Sequence, residues 1–152
     1  MFYQVLFILA IIAVGIPLSY WTRRIDMSGF ELWLPMAILI SIGVNPLVGF
    51  LVGLAIVVLS WFAFPFHLIG MILMMVCLLI FCYMTNLFTF TEANLVKNVI
   101  IIVVGYNIVS NAVLFPIWPN PMSIFKFFAF STWLTWLITS QWGWKLITWL
   151  GA

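Results

Sequence analysis

Asn107, Ser110 and Asn111 stand at i, i+3 and i+4 within an apolar stretch, with Tyr106 beside them. That spacing puts two amides and a hydroxyl on one helix face. Uncharged polar groups inside a membrane must find hydrogen-bond partners. The cluster therefore has two readings. It lines a polar cavity for a small solute, joined by Tyr106 and by Glu92 from the 86–98 connection, or it staples two helices together.

A second set is His67, Met71, Met74 and Cys82, which fall within about 80° of arc on one helix. Imidazole, thioether and thiol are ligands for cuprous copper, so His67, Met71 and Met74 make a copper-linked role one expectation. The alternative is packing, the usual work of methionine. Cys77 and Cys82 point about 140° apart on a helix, so no disulfide is expected between them. Ser131, Thr135 and Thr139 form an i, i+4, i+8 stripe whose hydroxyls can bond back to their own helix.

The acidic residues are Asp26, Glu31 and Glu92, at or near the ends of apolar stretches. Glu31 is placed to pair with Arg23 or Arg24, or to reach the interface. No carboxylate pair, serine–histidine–acid set or phosphate-binding glycine loop stands out, so the chain is not expected to be catalytic by itself.

These residues need elements to hold them, and composition says what kind. Of 152 residues, 67% are hydrophobic and 5% are charged. Three acids and five bases cannot cover a soluble surface of this size. Lipid is therefore the solvent for most of the exterior, and a multi-pass protein of the cell membrane is expected. The net charge of +2 is too small and scattered to suggest nucleic acid as a partner. Residues 1–152 suit one integral membrane domain.

A crossing needs about 20 apolar residues. The hydropathy predicts an all-α bundle of about six helices. The first span runs from Phe2 to about Tyr20, with Pro17 bending its last turn. The segment Met1-Phe2-Tyr3-Gln4 carries no basic residue, so this span reads as retained rather than cleaved. Residues 29–64 are too long for one span, and Asn45-Pro46 is a turn signal at their middle. They read as two short spans, 29–44 and 47–64, or as one helix kinked at Pro46, which gives five helices in all. Further spans are expected at 66–84, 99–116 and 123–150, with Thr91 as a candidate helix cap. Trp21, Trp118, Trp142, Trp144 and Lys145 suit interfacial anchoring. Arg23, Arg24 and Lys126 against Lys97 and Lys145 leave a small charge bias for orientation.

Gly49 and Gly53 are four apart, as are Gly15 and Ser19. Small residues one turn apart let helix backbones approach closely in lipid. A helix is expected to cross over Gly49 and Gly53, supplied by the first span at Gly15 and Ser19 or by another subunit.

Leu34-Pro35-Met36-Ala37, followed by Ile42-Gly43-Val44-Asn45-Pro46-Leu47-Val48-Gly49-Phe50-Leu51-Val52-Gly53, resembles the early hairpin of substrate-binding S components of energy-coupling-factor vitamin transporters. It is also similar to the rod-shape-determining membrane protein D family. The resemblance covers about a fifth of the chain. It implies a compact six-helix membrane protein and, for the S components, a vitamin-binding transport module. Beside it stands the reading from the residues alone: a small accessory or structural subunit of a multisubunit membrane complex, partnered by lipid and by other membrane subunits.

Overall fold

The structure, a computed structural model, describes residues 2–25, 27, 29, 31–63, 68–117 and 119–151. Its helices are α1 (Phe2–Arg24), α2 (Trp33–Gly43), α3 (Pro46–Ala63), α4 (Leu68–Met84), α5 (Leu95–Leu114), α6 (Pro121–Ile138) and α7 (Trp144–Leu150). A π-helical segment, Thr139–Gly143, carries α6 directly into α7, so these two form one continuous arm. The fold is an all-α bundle with no strand among the described residues. Among the described residues, four runs are long and apolar enough to cross a membrane: Tyr3–Arg24, Leu68–Leu87, Leu95–Leu114 and Pro121–Leu150.

Two Asn-Pro pairs start helices by the same device. Asn45 Oδ1 accepts from Val48 N at 2.9 Å, and Asn120 Oδ1 accepts from Ser123 N at 3.1 Å. Each asparagine thus satisfies an orphan N–H of the first turn. Each proline follows at the first helical position, where no donor is needed. At Asn45-Pro46 the chain reverses, so residues 33–63 form a hairpin and not one kinked helix. Thr91 does not cap α5. The N-cap is Asn94, whose Oδ1 accepts from Thr91 N at 2.8 Å and whose Nδ2 donates to Thr89 O at 3.0 Å.

The second expected span, 29–44, is shorter than the hydropathy implied. α2 has 11 residues and rises about 16 Å, roughly half of a ~30 Å hydrocarbon layer. Nearly all of it is buried, and it packs against α3, α4, α5, α6 and α7. Its last residue, Gly43, lies against Leu150 and Ile147. At that same end of the bundle Gln4 Nε2 donates to Leu150 O at 2.6 Å. α2 is therefore a buried half-helix that starts well inside the bundle, and the chain after α1 dips inward to reach it. Irregular backbone at that depth is tolerated because protein, not lipid, surrounds it.

Gly49 and Gly53 form the groove that seats α2. A Cβ at Gly49 would strike Ser41 Oγ and the Ala37 carbonyl, and one at Gly53 would lie 2.7 Å from Leu78 Cδ2 and 3.1 Å from Ala37 Cβ. The helix that crosses this pair is thus α2 of the same chain, and neither α1 nor another subunit. Gly15 packs instead farther along α3, two turns beyond Gly49, where a Cβ would lie 2.8 Å from Ile56 Cδ1. Ser19, fully buried one turn later, has no partner for its hydroxyl among the described residues.

Gly29 fixes the inward dip. Its φ is +97°, and a Cβ there would lie 2.6 Å from Phe127 O and 2.7 Å from Phe127 Cα. Both the left-handed backbone and the approach to α6 demand glycine. Gly29→Ala is expected to lower stability by about 1–3 kcal/mol, read as a fall in Tm in lipid discs. An unchanged Tm would show that the segment does not press on α6.

Candidate functional site

Two polar clusters stand out in the bundle among the described residues. The first surrounds the start of α2. Arg23, in the last turn of α1, grips Glu31 with both forks: Nε to Oε1 at 3.0 Å and Nη2 to Oε2 at 3.0 Å. The indole Nε1 of Trp33 donates to the same Oε2 at 2.7 Å. Glu31 is 4% exposed and Arg23 11%. Of the two arginines, Arg23 is the partner of Glu31. Arg24 is exposed and reaches the Tyr20 hydroxyl. The carboxylate sits just ahead of the N-terminus of α2, where a negative charge is favoured. Trp33 then packs edge-on to Tyr106 at 5.9 Å and stacks on Phe127 at 6.2 Å. The arrangement is a lock between α1, the dip, α2 and α6.

The second feature lies between α5 and α6. A groove of about 320 Å³ is lined by Asn107, Asn111, Ile108, Phe115, Phe125 and Phe128, with Pro121 and Ile124. Asn107 is fully buried. Its Nδ2 donates to Ser131 Oγ at 2.9 Å and Thr132 Oγ1 at 3.3 Å, tying α5 to α6. Its Oδ1 is buried without a partner among the described residues. Exchanging amide O and N changes only which pole is left over, since either can meet the two hydroxyls. Asn111, one turn on, is partly buried, and its side-chain amide makes no hydrogen bond among the described residues. A buried amide pole without a partner costs about 1–3 kcal/mol. That cost is internal to the α5–α6 seam, because Asn107 is enclosed, and Asn111 is the amide at the groove's surface.

The expected five-residue solute lining is not assembled. Asn107 and Asn111 share the groove. Tyr106 turns the other way, between Trp33 and Phe81, with its hydroxyl toward Met74 O at 3.5 Å. Ser110 is buried and bonds back to Asn107 O at 3.4 Å. Glu92 is exposed in the connection before α5, and the 15 residues separating it from Asn107 take it roughly 20 Å away along α5. The physical reason is helical: neighbours at i and i+1 diverge by about 100°, so Tyr106 and Asn107 cannot face one cavity.

Of the copper set, His67 lies outside the described residues. Met71 and Met74 are half-buried on α4 and pack against the core. Cys77 and Cys82 are buried and free. Among the anchors, Trp118 lies outside the described residues, Trp21, Trp142 and Lys145 are exposed, and Trp144 is half-buried. Sequence reasoning missed Trp33 as the indole beneath Glu31 and Ser131–Thr132 as the partner of Asn107. The 131–135–139 stripe was the available signal for the latter. All three of its residues are buried, Thr135 bonds back to Ser131 O at 2.6 Å, and Thr139 Oγ1, in the π segment, has no partner among the described residues. No family model, curated protein or solved structure matches the chain.

Proposed function

We propose that this chain is a non-catalytic, multi-pass subunit of a larger complex in the cell membrane. The observation that carries the reading is the α5–α6 groove, where the part-buried amide of Asn111 keeps unused hydrogen-bonding capacity beside apolar walls. Elsewhere the small residues Gly15, Gly49 and Gly53 and the Arg23–Glu31 pair are already used within the chain. In lipid, polar side chains and close packing hold helices together, because hydrophobic burial does not.

Gentle extraction followed by native mass spectrometry tests this. The expected result is a defined assembly of the chain with other membrane proteins, broken by harsher detergent with a fall in the chain's own Tm. A stable monomer under gentle extraction, with the same Tm in both detergents, would sink the reading. The solute-binding alternative rests on the same groove and makes the opposite forecast: a monomer whose Tm rises with a small polar solute such as a vitamin.

A further inference from the structure

We draw no further inference here: the strongest candidate, the apolar groove between α5 and α6 at Asn111, belongs to the site already described, and nothing in the structure shows what covers it.

Discussion

Glu31→Leu is expected to cost about 3–5 kcal/mol, the range for breaking one side of a buried ion pair. The carboxylate accepts three hydrogen bonds, two from Arg23 and one from Trp33. Removing it deprives a guanidinium and an indole N–H of that acceptor at a site 4–11% exposed. It also removes a negative charge from the N-terminus of α2, where the first-turn N–H groups have no side-chain cap. Both effects loosen the inward dip that delivers α2 to the middle of the bundle. Chemical or thermal unfolding in lipid discs measures the loss.

The double variant separates pairing from packing. Arg23→Met alone should be damaging, because it leaves the carboxylate with only the Trp33 N–H. Arg23→Met combined with Glu31→Leu should cost less than Glu31→Leu alone, since an apolar pair of similar volume often replaces a buried ion pair without loss. Arg24→Met serves as the control. Arg24 is exposed, so its loss should change stability by less than about 1 kcal/mol. Additive costs in the double variant would mean that Arg23 and Glu31 stabilise the bundle independently.

What the sequence disclosed follows the range of the interactions involved. Class and helix number were legible because hydropathy is summed over some twenty residues and tolerates local error. The Asn45-Pro46 reversal was legible because capping and the missing proline N–H are local chemistry. The length of α2 was not. An apolar stretch from 29 to 44 looks the same whether it crosses lipid or is sheathed in protein, and only the tertiary arrangement decides. The polar site was half legible. Spacing placed Asn107 and Asn111 on one face, but no spacing rule names Ser131 and Thr132 across the bundle. Tyr106 and Glu92 were drawn in by adjacency in sequence, which on a helix is a poor guide to a shared cavity.

Gly49→Ala is expected to be more damaging than Gly53→Ala, although both glycines belong to one small-residue pair. The difference lies in what the added carbon meets. At Gly49 it would strike Ser41 Oγ and the Ala37 carbonyl and come within 2.7 Å of the Ser41 backbone N. Ser41 Oγ is itself held to Ala37 O at 2.7 Å, so it has no free space to turn into. Two of the three obstacles are backbone atoms of α2, and α2 is enclosed by α4, α5, α6 and α7 on its other sides. It cannot retreat without moving the whole bundle. At Gly53 the nearest obstacle, at 2.7 Å, is Leu78 Cδ2, the far end of a flexible side chain. A rotamer change there relieves much of the clash. Gly49→Ala should therefore cost about 3 kcal/mol and Gly53→Ala about 1 kcal/mol, the two ends of the overpacking range. Gly49→Leu should prevent the hairpin from closing, because in lipid the close backbone approach is itself the attraction. Unfolding titrations of the three variants in one lipid composition check the order. Equal costs at the two glycines, or a folded Gly49→Leu protein with normal Tm, would mean that α2 is not wedged and that helices around it can part to admit a side chain.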